Sequence, residues 1–229
     1  MLEIQQLNQF YGESHILWDL DLEVPQGSCT CLMGRNGVGK TTLLRAIMGL
    51  IRIRSGSVTF TGEALERAPA HRRARLGIGY VPQGREIFPQ LTVEENLRLG
   101  LDVTGASRLP ERIFELFPVL KSMRRRRGGD LSGGQQQQLA IGRALALEPK
   151  LLILDEPTEG IQPSIVQEIG QVIRRLNRED GLTVLLVEQK LPFARKVAGH
   201  FGVMERGRLV AKGAIDELDE ELVQRYLAV

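Results

Sequence analysis

The chain has little that would fix a compartment or a covalent scaffold. Its 229 residues include only two cysteines, Cys29 and Cys31, two apart in one apolar segment. Alternate residues of a strand share a face, so the pair reads as small core residues of a reduced protein, with neither a disulfide framework nor metal-ligand spacing. No apolar run approaches the roughly 20 residues that span a bilayer. The first residues, Leu2-Glu3-Ile4, lack the basic and apolar regions of a secretory leader, so a cytosolic protein is expected, reaching a membrane only by docking to another chain. Net charge is +2, too small to make nucleic acid or an anionic membrane the main partner. One basic run, Arg124 to Arg127, leaves two readings open: contact with a nucleotide or partner, or a solvated turn. The length and the 42% hydrophobic content suit one substantial α/β domain, with room for a subdomain.

The stretch around which the rest is arranged is Gly34-Arg35-Asn36-Gly37-Val38-Gly39-Lys40-Thr41. The apolar run from Ser28 to Met33 before it reads as a buried strand, and Leu43 to Met48 after it as a helix. Strand, glycine loop, Lys-Thr and helix form the context of a phosphate-binding loop. Glycines let successive N–H groups turn inward toward phosphate oxygens, and the following helix dipole adds to the attraction. Lys40 would neutralise the β- and γ-phosphates, and the Thr41 hydroxyl would hold Mg²⁺.

Along the chain, Leu2 to Leu7 and the alternating Asp19 to Val24 predict an antiparallel N-terminal layer, turning at Val24-Pro25-Gln26-Gly27. Tyr11 in this layer either stacks on a ring such as adenine or packs a hairpin. Strands are expected at Ser57–Thr61 and Leu76–Val81, the latter followed by Gln83, whose amide oxygen can reach a metal or its water. From Leu91 to Leu147 the pattern turns helical, with a capping box at Thr92 and Glu95 and Pro110 at a first helical position. Leu131-Ser132-Gly133-Gly134-Gln135 precedes a helix from Gln136 to Leu147 and offers a second anion site that one nucleotide does not need. Leu151 to Leu154 forms a strand buried on both faces that delivers Asp155 and Glu156 to its C-terminal end. Asp155 would hold Mg²⁺ and Glu156 would orient or deprotonate the attacking water. An amphipathic helix opens at Pro163, a further strand runs from Thr183 to Val187 and ends at Glu188-Gln189, and Phe201 to Lys212 reads as a hairpin turning at Arg206-Gly207. A last helix is expected from Asp216 to Leu227, carrying Leu218, Leu222 and Tyr226.

Taken together these segments resemble the ATP-binding subunit of an ABC transporter over essentially the whole chain. The resemblance implies a P-loop NTPase (RecA-like) α/β fold: a mixed-sheet core at 1–90 and 148–229 with an N-terminal antiparallel β layer, and an inserted α-helical subdomain at 91–147. It assigns ATP binding to Tyr11, Gln83 and the loop Gly34, Arg35, Asn36, Gly37, Val38, Gly39, Lys40, Thr41 and Thr42. Mg²⁺ falls to Thr41, Gln83 and Asp155, and catalysis to Glu156 and Gln189. Leu131, Ser132, Gly133, Gly134 and Gln135 match the signature, which in the family closes on ATP held by the other subunit. Gln189 stands where the family carries a switch histidine, a group that glutamine cannot match in proton or charge. The branched-chain amino-acid importer subgroup resembles this chain in having glutamine there. Gln83 to Pro89, Gly133 to Gln138 and Glu159 to Pro163 point most closely to the ATPase of urea or short-chain amide importers. The implied partners are a second, related ATPase, two multi-span membrane permease subunits and, indirectly, a solute-binding protein, at the cytoplasmic face of the inner membrane and with no nucleic acid. A coupling helix of the membrane subunit would enter the groove around Gln83 to Leu97, and Gly160 to Pro163 would meet the partner ATPase. The alternatives are a branched-chain amino-acid import ATPase, an exporter cassette, or an ABC ATPase outside transport.

Overall fold

The computed structural model describes residues 1–227, the Asp102 side chain excepted, so the end of the expected 148–229 segment lies outside the described residues. The strands are β1 (Leu2–Tyr11), β2 (Ser14–Val24), β3 (Cys29–Met33), β4 (Ser55–Phe60), β5 (Glu63–Ala64), β6 (Ile78–Val81), β7 (Leu151–Asp155), β8 (Thr183–Val187), β9 (His200–Glu205) and β10 (Arg208–Ala214). They form an antiparallel sheet of order β2-β1-β4-β5 and a larger sheet of order β10-β9-β3-β8-β7-β6. In the larger sheet β9, β3, β8, β7 and β6 run parallel, and β10 turns back antiparallel on β9.

The larger sheet is covered on both faces, which explains why its central strands are apolar at every position. Leu32, Leu151, Ile153, Leu185 and Val187 face a core shared with the antiparallel sheet and with Leu43, Leu44 and Ile47 of α1 (Lys40–Ile47). The alternate residues Cys31, Leu152, Leu154, Val184 and Leu186 face a second core built with helices. Both cysteines are free and buried on this second face, and burial pushes the Cys29 thiol up to about 12. The antiparallel sheet has one wet face: Leu20, Leu22 and Val24 of β2 are buried while Asp19, Asp21 and Glu23 are exposed.

After the short α2 (Ala70–Arg75), five helices lie between β6 and β7: α3 (Val93–Arg98), α4 (Leu101–Thr104), α5 (Glu111–Leu116), α6 (Pro118–Ser122) and α7 (Gly133–Leu145). The capping box at α3 forms as expected, with Glu95 N–H donating to Thr92 Oγ1 at 3.2 Å and Thr92 N–H to Glu95 Oε2 at 2.7 Å. Ile113, Phe114, Leu120 and Leu139 from these helices join the same apolar cluster as the sheet. The basic run braces α3, because Val93 and Glu94 N–H donate to the Arg126 and Arg124 carbonyls and Arg124 Nη2 donates to Glu94 at 2.8 Å. The chain continues through α8 (Pro163–Arg178), α9 (Leu191–Val197) and α10 (Glu220–Tyr226).

Several boundaries differ from those expected. The first turn closes from Ser28 N–H to Pro25 O at 3.2 Å, one residue later than the Pro-Gly spacing suggested. Pro110 is the N-cap of α5, not its first helical residue. Gly133 and Gly134 lie inside the first turn of α7, because Ser132 caps it from outside. α10 begins at Glu220, after a separate 3-10 turn at Ile215–Glu217, so Leu218 is buried between the two and not on the helix. Asp219 accounts for that restart, since its carboxylate accepts the Leu222 N–H at 2.8 Å as an N-cap.

One buried side chain fixes the far end of α1. Arg73, 4% exposed, donates to the carbonyls of Ala46 (2.8 Å) and Ile47 (2.7 Å) in the last turn of α1, and to Ala68 (2.8 Å) and Leu65 (2.6 Å) in the preceding loop. A cation there satisfies orphan carbonyls and complements the negative helix end. Replacing it with methionine, Arg73→Met, is expected to lower the unfolding free energy by about 3 kcal/mol, since several buried acceptors lose a charged donor. Urea denaturation tests this as a fall in midpoint with little change in slope.

Candidate functional site

The glycine loop links β3 to α1, and its glycines are placed where other residues fail. Gly34 has φ +146°, and a Cβ there would stand 2.4 Å from the Met204 carbonyl oxygen. Gly39 has φ +106° and would press 2.9 Å against Leu17. The β9–β10 turn pins the loop from outside, with Gly207 N–H donating to Val38 O at 3.0 Å. Lys40 opens α1 and is 5% exposed; its Nζ donates to Gly34 O at 2.7 Å and Arg35 O at 2.8 Å, and lies 3.9 Å from Glu156 Oε1. Burial lowers the Lys40 pKa, and the carboxylates of Glu156, Asp155 and Glu188 pull it back up.

Two more strands end beside this loop. β7 delivers Asp155, 1% exposed, whose carboxylate oxygens form no well-aligned hydrogen bond, with the Thr41 and Tyr80 hydroxyls beside them. Burial pushes its carboxyl above the ordinary range, opposed by the neighbouring Thr41 hydroxyl and Lys40. Glu156 then turns left-handed at φ 49°, its N–H held by Val187 O of β8 at 2.9 Å. Its Oε1 accepts from Gln189 Nε2 at 2.6 Å, and the same amide nitrogen donates to Asn36 Oδ1 at 2.7 Å. Gln189 thus ties the carboxylate after β7 to the glycine loop.

A cleft of about 770 Å³ opens here. Asn36, Gly37, Gly39, Lys40, Thr41 and Thr42 line one side of it, and Gln83, Glu156 and Gln189 the other. Gln83 Nε2 donates to Glu159 Oε2 at 2.9 Å. Gly34 and Asp155 are buried beside the cleft without lining it, and Arg35 and Val38 lie on the loop's outer turn. Tyr11 ends β1, 45% exposed, and is not among the lining residues. The segment Leu131 to Gln135 also lies away from this cleft; Ser132 caps α7 by accepting the Gln135 N–H at 3.4 Å, and Arg85 joins the following turn through Gln136 at 3.3 Å. Sequence reasoning gave no site role to Ile16, Thr158 or Lys190, all of which line the cleft. Thr158 and Lys190 had a usable signal, each lying just past a strand that ends there; Ile16, on a hairpin distant in sequence, had none.

The residues fit a magnesium ion. Asp155 offers two unpaired buried oxygens near the Thr41 hydroxyl, the hard donors that Mg²⁺ takes together with phosphate oxygens and water. Such a site needs no all-protein cage, and among the described residues no group of three or more His, Cys, Asp or Glu side chains forms one.

A phosphate cradle closed by a buried lysine, with two carboxylates at the end of a parallel strand one removed in the same sheet, defines a P-loop ATPase. A family model described as ABC transporter matches residues 17–159, and the chain belongs to that family. It is 44% identical to the high-affinity branched-chain amino acid transport ATP-binding protein BraG of Pseudomonas aeruginosa, over 92% of this chain and 91% of that one. It is 38% identical to the probable branched-chain amino acid transport ATP-binding protein LivF of Archaeoglobus fulgidus, over 96% and 94%. Among solved structures, a dimeric bacterial ABC transporter cassette superposes with TM-score 0.85 at 26% identity, covering 94% of this chain and 99% of that one. A dimeric post-hydrolysis cassette bound to ADP and Pi superposes with TM-score 0.84. The chain is an ATP-binding ABC ATPase.

The unpaired Asp155 carries a stability consequence. A folded-state pKa raised above the unfolded value means that ionisation at neutral pH costs folding energy, a cost that disappears as pH falls below the ordinary aspartate range near ~4. Asp155→Asn is therefore expected to raise the melting temperature of the nucleotide-free chain at pH 7, with the gain shrinking toward pH 4. The same variant should lose the extra stabilisation that Mg²⁺ adds to ATP, and thermal melts with ATP plus and minus Mg²⁺ check both.

Proposed function

We propose that the chain is the ATP-hydrolysing subunit of an importer for branched-chain or similar small apolar amino acids. The observation that carries the substrate class is the match with two relatives named for branched-chain amino acid transport, over more than nine-tenths of both chains in each case. A Nod factor export protein aligns at 37% identity but extends well beyond this chain, which covers 74% of it. The urea or short-chain amide reading yields to the amino-acid one on these relatives.

In this reading Gly34 to Thr42 hold the ATP phosphates and Tyr11 stacks on the adenine. Lys40 leaves the loop carbonyls for the phosphates, and Thr41, Asp155 and Gln83 hold Mg²⁺, which supplies charge neutralisation to the transferring phosphoryl group. Glu156 positions and deprotonates the attacking water. Gln189, already bonded to Glu156 and Asn36, positions that carboxylate and hydrogen-bonds the γ-phosphate or the water. Leu131 to Gln135 close on ATP bound by a second ATPase, probed by the exposed Ser132 at the tip of α7. The helical segment 91–147 works as the moving part against the core, and the groove around Gln83 to Leu97 receives a coupling helix of one of two membrane permease subunits, which a solute-binding protein feeds. No helix of the described residues is long and apolar enough to cross a membrane, which suits a subunit docked at the cytoplasmic face.

Glu156→Gln should retain ATP binding and lose turnover by about 10²- to 10⁴-fold, the contribution of a positioned base. Gln189→Ala should cost less. None of the three histidines lines the cleft, so kcat should show no titration near ~6.5, and Gln189→His should introduce one. Steady-state turnover against pH decides these; wild-type turnover in Glu156→Gln would refute the assignment. For the substrate, cells deleted for the gene are expected to lose uptake of labelled leucine and keep uptake of labelled urea. The reverse pattern would restore the amide reading, and loss of neither would point outside transport.

A further inference from the structure

Next to Gln189 lies a buried carboxylate that the proposed chemistry leaves unused. Glu188 directly follows β8, is 3% exposed and borders the cleft. Its two oxygens are fully engaged, and by two different loops. Oε1 accepts the backbone N–H of Gln189 at 2.8 Å and of Lys190 at 3.0 Å, so it folds back over the loop that follows its own strand. Oε2 accepts the Thr158 hydroxyl at 2.7 Å, and Thr158, 0% exposed, belongs to the loop that follows Glu156. Lys190 Nζ closes the ring by donating to Thr158 O at 2.9 Å. The loop bearing the water-positioning carboxylate and the loop bearing Gln189 are thus locked together through one side chain.

The lock answers a specific problem. Glutamine has three rotatable side-chain bonds and no ring, so its amide reaches a defined place only if the backbone beneath it is fixed. At 189 the amide must span Glu156 Oε1 at 2.6 Å and Asn36 Oδ1 at 2.7 Å at once. A carboxylate accepting two consecutive N–H groups holds that backbone with charge-assisted hydrogen bonds. Its third bond sets the distance to the Glu156 loop.

We infer that Glu188 is a positioning residue for ATP hydrolysis, holding Gln189 in register with Glu156 by clamping the loops after β7 and β8 to each other. It acts through the two loops that its oxygens hold. The inference rests on the roles proposed above for Glu156 and Gln189, and its test separates the two.

The test measures MgATP turnover, nucleotide affinity and melting temperature of the full chain for Glu188→Gln, Gln189→Ala and the double variant at equal protein concentration. Glu188→Gln keeps the size but removes the charge and replaces one of the two acceptor oxygens by an amide NH2, which cannot accept. It should lower kcat about tenfold, the factor matching one charge-assisted hydrogen bond, while ATP affinity stays near wild type. In the Gln189→Ala background the same change should cost little more, since the group it positions is gone. An undiminished tenfold loss in that background, or wild-type turnover in Glu188→Gln, overturns the inference. If Glu188→Gln does not fold, Thr158→Val removes one of the three donors isosterically and must show the same loss and the same dependence on Gln189. Wild-type turnover in Gln189→Ala would instead remove the underlying reading, and the inference with it.

Discussion

Three parallel strands that end in register set the terms for the whole site. β3 pairs β8 with Leu32 opposite Val187, and β7 pairs β8 with Asp155 opposite Val187. The next residues on each strand therefore leave the sheet at one level: the glycine loop from β3, Glu156 from β7, Glu188 and Gln189 from β8. Hydrogen bonds of a parallel ladder fix that level to within a residue, because slipping by one would send every apolar side chain of these strands to the wrong core. Both cores depend on the alternation, so the register that places the chemistry is held by burial on both faces of the sheet.

At that level the electrostatics are crowded. Lys40 faces Glu156, Asp155 and Glu188, which act on it together. The arrangement is uneven in a way that suits phosphate binding. Glu188 is saturated by hydrogen bonds, Glu156 is shared with Gln189, and Asp155 is left buried with unpaired oxygens. A buried carboxylate without partners is costly in a free protein. A cation bound there would offset that cost, so the group that destabilises the fold is also the one whose chemistry suits a metal.

Gln189 changes how such a site works. A histidine in its place would bring a charge that varies near neutral pH, whereas an amide brings only direction. Direction has to come from elsewhere, and here it comes from backbone held by a neighbouring carboxylate and from two acceptors, Glu156 and Asn36, that the amide nitrogen meets together. Further out, Gln83 is bonded to Glu159, and Arg85 is bonded to Gln136 in the first turn of α7.

Much of this was readable in the sequence because it is local. The glycine loop, the apolar run ending in Asp155-Glu156, the Thr92–Glu95 capping box and the β9–β10 hairpin each follow from spacing within a dozen residues. Family likeness, carried by those same motifs, supplied the ATPase class. Boundaries set by competing local hydrogen bonds were misjudged, as where Asp219 restarts a helix that periodicity had begun at Asp216. What only the tertiary structure decided are contacts between elements separated in the chain: Gln189 on Glu156 and Asn36, Thr158 on Glu188, and Arg73 of α2 on the end of α1. Periodicity reports which face of an element is buried, but not which neighbour it is buried against. Side-chain hydrogen bonds between segments 27 to 153 residues apart are settled by sheet order and register, and those emerge only when both cores close.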